Sequence, residues 1–289
     1  MVNKFSISIA ILLLSLAGLA NAEPLYWKAT KGDKELMILG SIHLGKEEML
    51  PLPKAVNNFL DSSDALILEA DLDSASAGVP DVNELSNDYL NRKQKAKIRK
   101  IGAEVGIDGD VLLSQPTWKT ALVLQLAYFY SLGYKHEWGI DNYIANQARL
   151  NDIPVKGLET VEYQLSLFSN SKQIGRDLLN EIVDEWEKNK RISECLMNDW
   201  MSGDKNKLES LVLETSGSDE IASKFIYERN REWADKLDSP AFLKEDGRYL
   251  VVVGTLHLVG QDSLISLLKS KGFRIKQLSK SVASTCPAK

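Results

Sequence analysis

Two segments near opposite ends of the chain repeat one pattern. Leu36-Met37-Ile38-Leu39-Gly40-Ser41-Ile42-His43-Leu44-Gly45 is echoed by Leu250-Val251-Val252-Val253-Gly254-Thr255-Leu256-His257-Leu258-Val259-Gly260. Each is an unbroken apolar run of strand length, then Gly, a hydroxyl residue, an aliphatic, His and Leu. A Gly closes each copy, one residue later in the second. Apolar runs without alternation mark strands buried on both faces, as parallel sheets require. The chain has only 3 histidines, and two of them stand at the same place in the repeat. Two such units predict a pseudo-symmetric pair meeting at one site.

The rest of the chain fits an α/β frame around that pair, with α+β as the alternative. Leu25 to Ala29 and Glu35 to Leu39 flank the polar turn Lys31-Gly32-Asp33-Lys34 and read as a hairpin. Beyond Pro51 and Pro53 a helical pattern (Ala55, Val56, Phe59, Leu60) leads into the apolar run Ala65 to Leu68, ending in Glu69. Strand, loop, helix, strand is the βαβ signature of a parallel sheet. Asp73 to Asp81 is small and polar, a loop, and Asn91 to Glu104 reads as a charged helix with a solvated face. Trp118 to Tyr134 reads as a buried core helix, and Gly139 to Arg149 as a further helix. Val155 to Leu158 is a short strand, followed by helical patterns over 160–170, 172–189, 192–210 and 219–238. Strand returns at Tyr249 to Val253, helix at Ser263 to Ser270 and strand at Phe273 to Leu278. The expected organisation is a single domain over 23–289: a mostly parallel central sheet made of two repeated strand-Gly-x-x-His-helix units, with a mainly helical insertion over 74–247. No linker-like composition marks the borders of that insertion, so it reads as an all-helical subdomain.

Ligands of open α/β sheets bind beyond the carboxyl ends of the strands. His43 and His257 would each be displayed there, just past a rigid strand, and Gly40 and Gly254 permit sharp turns without a Cβ. Glu69 and Glu159 also end strands. Two His with one or two Glu form an N/O donor set for Zn, Mn, Co or Fe. The plainer alternatives are hydrogen-bonded structural histidines and, for Glu159, a cap on the helix beginning near Thr160. Asp141 reads as a first-turn helix acid and His136 as a surface residue. In Glu228-Arg229-Asn230-Arg231-Glu232 the charges alternate, so Arg231 belongs with surface pairs. Arg229 is the candidate to reach the carboxylates and polarise a substrate carbonyl.

The chain starts with Lys4, a run of apolar and small residues from Phe5 to Ala20, and Ala20-Asn21-Ala22. That is the order of a secretory signal peptide, expected over 1–22, with export to the periplasm or exterior and no membrane span remaining after cleavage. The formal net charge is −5, or −6 once Lys4 is removed, which gives no electrostatic footprint for nucleic acid. Cys195 and Cys286 would form one disulfide in an oxidising compartment, tying the C-terminal tail to a helix.

These residues resemble the TraB/GumN family, which is related to the Tiki metalloproteases. The likeness rests on Leu-Tyr-Trp-Lys at 25–28, Gly40 to His43, the strand ending in Glu69, and Gly139-Ile140-Asp141. It continues through Gly157-Leu158-Glu159 with Gln164, Glu228-Arg229-Asn230, and Gly254 to His257 leading into Leu258-Val259-Gly260. The resemblance implies an α/β fold with an active site built from both Gly-x-x-His motifs and an acidic residue. Its Tiki relatives imply Mn- or Co-dependent proteolysis, with His43 and His257 as metal ligands and Glu69 as third ligand or general base.

The expected function is an exported metal-dependent hydrolase acting on peptide bonds. A divalent metal (Mn, Co or Zn) held by His43, His257 and Glu69 would activate water, with Glu69 or Glu159 taking its proton and Arg229 stabilising the oxyanion. The helical block would select the substrate, a peptide or small molecule. One alternative is a ligand-binding protein without turnover, holding a metal, haem or peptide. Another is an interaction module of the cell envelope that uses helices 172–238. No Ser-His-Asp order, Gly-rich phosphate loop or His-Glu-x-x-His helix occurs, so serine hydrolase, nucleotide enzyme and ordinary zincin readings lose most of their weight.

Overall fold

A computed structural model describes residues 23–71, 84–215 and 219–286. The expected signal segment 1–22 and loop 73–81 lie outside the described residues. Strands β1 (Tyr26–Lys31) and β2 (Lys34–Ser41) form the expected hairpin, with Gly32 at φ 58° opening its two-residue turn. The other strands are β3 (Ala65–Ala70), β4 (Val155–Glu159), β5 (Arg248–Gly254) and β6 (Arg274–Gln277). They make one sheet in the order β4-β3-β5-β2-β1-β6. Every pairing among β4, β3, β5 and β2 is parallel, and β1 runs antiparallel to both β2 and β6.

Thirteen α-helices are present among the described residues. These are α1 (Lys54–Leu60), α2 (Ser86–Tyr89), α3 (Arg92–Glu104), α4 (Gly109–Leu113), α5 (Thr117–Ser131) and α6 (Ile140–Leu150). After β4 come α7 (Val161–Ser169), α8 (Lys172–Asp184), α9 (Trp186–Ser202), α10 (Lys205–Thr215), α11 (Asp219–Ala222) and α12 (Glu228–Asp238). The last is α13 (Leu264–Ser270). No helix among the described residues is long and apolar enough to cross a membrane.

Two helix boundaries differ from the periodicity. The pattern over 172–189 breaks at Glu185, between α8 and α9, and the pattern over 192–210 breaks at Gly203. Gly203 caps α9 in the left-handed conformation (φ 57°), a standard way to stop a helix. The insertion is also not wholly helical: β4 pairs in parallel with β3 inside the central sheet. Its helices form a core of their own around Ile98, Leu112, Leu124 and Leu179.

The two strands of the repeat are direct neighbours, but one residue out of register. Gly40 pairs with Val253 and Ser41 with Gly254. A one-residue slip sends equivalent side chains to opposite faces of the sheet. Leu36 and Ile38 therefore share a core with Tyr249, Val251 and Val253. Met37 and Leu39 share the other with Leu250 and Val252. The crossovers obey the same relation. β2 leads through α1, on the second face, leftward to β3, and β5 leads through α13, on the first face, rightward to β6. The two units are thus related by an approximate two-fold axis along the strands. The crevice between oppositely departing crossovers is where α/β sheets open for ligands.

Candidate active site

The loop after β2 is clamped by close backbone contact. Gly45 and Lys135 exchange backbone hydrogen bonds of 2.9 and 2.8 Å, and Ile140 N–H donates to the Ile42 carbonyl at 3.0 Å. A Cβ on Gly139 would fall 2.2 Å from the His43 carbonyl oxygen, so the approach requires glycine there. This places Asp141, in the first turn of α6, beside the loop. Its carboxylate accepts from Ser41 Oγ at 2.6 Å and lies 2.9 Å from His43 Nδ1. The Asp141 charge, helped by its hydrogen bond and by a smaller push from Glu69, raises the His43 pKa to about 9. The ring stands at a cavity wall where solvent still reaches 66 % of the side chain.

The second motif is buried and neutral. His257, 5 % exposed, lies on a single 3-10 turn (Thr255–Leu258) directly after β5. Its Nδ1 lies 2.7 Å from Asn230 Oδ1, and Asn230 Nδ2 donates to the Asp262 carbonyl at 2.9 Å. That arrangement makes Nδ1 the protonated nitrogen and leaves the Nε2 lone pair facing Arg229 Nη1 at 3.2 Å. Burial, reinforced by Arg229, lowers the His257 pKa to about 3. The Trp233 ring packs on it with centroids 4.4 Å apart.

Arg229 joins the strand ends. Nη2 donates to Glu69 Oε2 and Glu159 Oε1, both at 2.6 Å, and Nε donates to Glu159 at 3.1 Å. Nη1 donates to the Phe225 carbonyl at 3.0 Å and reaches His257 Nε2. All five guanidinium N–H groups are therefore engaged within the protein, and none is left for a substrate carbonyl. Glu69 also accepts from Gly254 N–H at 2.7 Å and Gln164 Nε2 at 3.0 Å. Burial opposes its charge, but Arg229 and then the two histidines outweigh burial and bring its pKa down to about 2. A carboxylate so stabilised is a weak proton acceptor. Glu159 accepts from Trp233 Nε1 at 3.0 Å, and the cap of α7 is the Thr160 hydroxyl instead.

Glu69, Glu159, Arg229 and His257 thus form one bonded cluster at the carboxyl ends of β3, β4 and β5. His43 stands with Asp141 across the same cavity, which both histidines and Glu69 line. Asp141, Asn230 and Trp233 had no site role in the sequence reading. The signal for Asn230 was a polar residue on the helix flank that turns out fully buried. Asp141 looked like an ordinary first-turn acid. His136 and Arg231 are exposed, as expected.

The donor types at this site suit a divalent ion, but their arrangement does not. Among the described residues no three His, Cys, Asp or Glu side chains are grouped to hold one. The Arg229 guanidinium occupies the place an ion shared by Glu69 and His257 would take.

A model of the TraB/PrgY/gumN family matches residues 25–277. A protein of Escherichia coli (strain K12) named uncharacterized protein YbaP is 31% identical over 241 residues, covering 82% of this chain and 89% of that one. Its counterpart in Shigella flexneri matches to the same extent. A metalloprotease Tiki homologue of Amphimedon queenslandica is 31% identical over 87 residues, covering 28% of this chain and 17% of that one. No solved structure matches the chain.

Proposed function

Because the chain belongs to the TraB/PrgY/gumN family, we propose that it is a hydrolase whose proton-transfer group is His43, oriented by Asp141. The observation that carries this reading is the His43–Asp141 pair, set at a cavity wall beside a buried Glu69–Arg229–Glu159 cluster in which one guanidinium binds both carboxylates. In a His–Asp pair the carboxylate fixes the ring and stabilises the imidazolium, while the far nitrogen works on the reacting atoms. In its free-base form His43 Nε2 takes a proton from water as the water attacks a carbonyl carbon. The resulting imidazolium then gives the proton to the departing amine or alcohol. His257 and Asn230 act as positioning residues, since they hold Arg229 and through it the two carboxylates. The partial likeness to a protein named as a metalloprotease homologue supports peptide bonds as the first target. No step here runs through Mn, Co or Zn.

Export is part of the same proposal. It is supported by the signal-like start of the sequence and by the Cys195–Cys286 disulfide, a bond that persists in oxidising compartments.

The test is hydrolysis of a mixed peptide set by the protein dialysed against a chelator, for wild type and His43→Gln. Cleavage by the dialysed wild type, reduced on the order of 10²–10⁴-fold in His43→Gln, is the expected result. Equal cleavage by the variant would overturn the reading. Cleavage lost on dialysis and restored by Mn, Co or Zn would replace it with the metal mechanism.

A further inference from the structure

His43 and Glu69 line two cavities at once. One, of about 300 Å³, lies over the ends of β2 and β5. Its outer wall is α5 and α9, which contribute Leu126, Phe129, Leu196 and Met197, and Ile226 and Leu256 complete it. The polar side chain in that wall, Gln125, has its amide Nε2 donating to Ser193 Oγ at 2.7 Å. The second cavity, of about 410 Å³, lies over the end of β3 and is walled by α6 and α7. Its lining includes Asp141, Asn142, Arg149, Gln164 and His136.

Resting on the hydrolase reading, we propose that the substrate crosses the shared His43–Glu69 wall. Its bulky apolar group lies in the α5–α9 cavity and its polar continuation in the α6 cavity, with the scissile carbonyl at His43. The chemistry of the walls sets this polarity. A charged group entering the first cavity would lose its hydration and meet no charged partner on the α5–α9 wall, where Gln125 is the polar side chain; the Thr255 hydroxyl deeper in the lining is uncharged. An aliphatic or aromatic group would displace water there at no such cost. The apolar wall also extends outward. Leu126 is 43% exposed, and Tyr130, one turn further along α5, is 50% exposed. Residues four apart share a helix face, so the two continue the cavity lining as a ridge toward solvent. A site open on both flanks of its proton-transfer residue fits a bond inside a chain, with one side selective for apolar bulk.

The experiment uses the full folded protein and two readouts. The first is cleavage of capped peptides in which a single position is varied through Gly, Ala, Leu and Phe, with cut sites mapped by mass spectrometry. Leu or Phe on one side of the cut bond should raise the rate roughly 10- to 200-fold over Ala, with no such gain on the other side. The second is binding of N-acetyl-phenylalanine amide followed by NMR, in wild type and in Leu126→Arg. Leu126 is exposed enough for that variant to fold, which its thermal melt would verify. Binding should weaken at least about tenfold in the variant. Cleavage without a one-sided apolar preference would overturn the proposal, as would probe binding that ignores Leu126→Arg. Leu126-dependent binding with no peptide cleaved would sink the hydrolase reading while supporting the cavity assignment.

Discussion

Replacing Asp141 by Asn should release the His43 proton. In the native site the Asp141 carboxylate is the largest influence on His43 and raises its pKa to about 9. At pH 7 only about 1% of such a ring is free base, against about three-quarters for an unperturbed histidine near 6.5. The amide side chain would keep the shape and remove the charge. Glu69, which favours the imidazolium, and Arg229, which opposes it, would remain. The midpoint should then fall from about 9 toward about 6.5. Water at two-thirds of the side chain screens the pair, so a fall of one pH decade is the least the reasoning requires. With 3 histidines in the chain, ring-carbon NMR titration can follow each signal, assigned with His43→Gln and His257→Asn. The limb of the pH–rate profile on which the rate rises with pH should move with the NMR midpoint, because His43 must be free base to act, while the plateau rate drops because Asn can hold the wrong tautomer. A His43 midpoint that stays within a few tenths of its native value in Asp141→Asn would refute the electrostatic account of the pair.

Acidification should destabilise the fold in a defined window. His257 and Glu69 titrate lower in the folded protein (about 3 and about 2) than their ordinary 6.5 and 4.5, so the unfolded chain binds protons first. Their stabilisation is full above about pH 6.5 and is lost as pH falls through 3 and then 2; urea midpoints flat from pH 7 to 3 would contradict this. Arg229→Met should cost about 3–5 kcal/mol in chemical denaturation, because it strands the buried carboxylates of Glu69 and Glu159; a loss below about 1 kcal/mol would show the cluster to be dispensable. Gly139→Ala forces a Cβ to within 2.2 Å of the His43 carbonyl oxygen. It should cost about 1–3 kcal/mol and lower the His43 NMR midpoint, since Asp141 must shift; a native midpoint would argue against the clamp. Removing the Cys195–Cys286 link with Cys286→Ser opens a 91-residue separation and should lower stability by about 2–4 kcal/mol, read from the thermal melt beside wild type.

The frame was legible in the sequence because its signals are local. Unbroken apolar runs identified β2, β3 and β5, Gly32 marked the hairpin turn, and Ser263 stands as the cap of α13. Most site residues were legible too, since strand ends and a repeated histidine are visible without coordinates. What escaped depends on pairing in space. Asp141 reaches His43 across 98 residues through a glycine contact that no spacing rule expresses. Arg229 looked available for substrate because a sequence cannot show that every one of its N–H groups already has an acceptor. The strand β4 was legible as well, from the short apolar run after Pro154, although its parallel pairing with β3 was not.

The different neighbours of β2 and β5 bear on why the two loops differ. The two-fold that relates the units would by itself leave them equivalent, but their outer neighbours differ: β3 and β4 flank β5, whereas β1 and β6 flank β2. One loop inherits the open side and a neighbouring carboxylate, the other the packed side and a neighbouring arginine. Two copies identical in every residue would therefore have been unequal from the outset. Asymmetry of the sheet comes before divergence of the sequence, and a swap of the two loop sequences should leave the mobile proton at the position of His43.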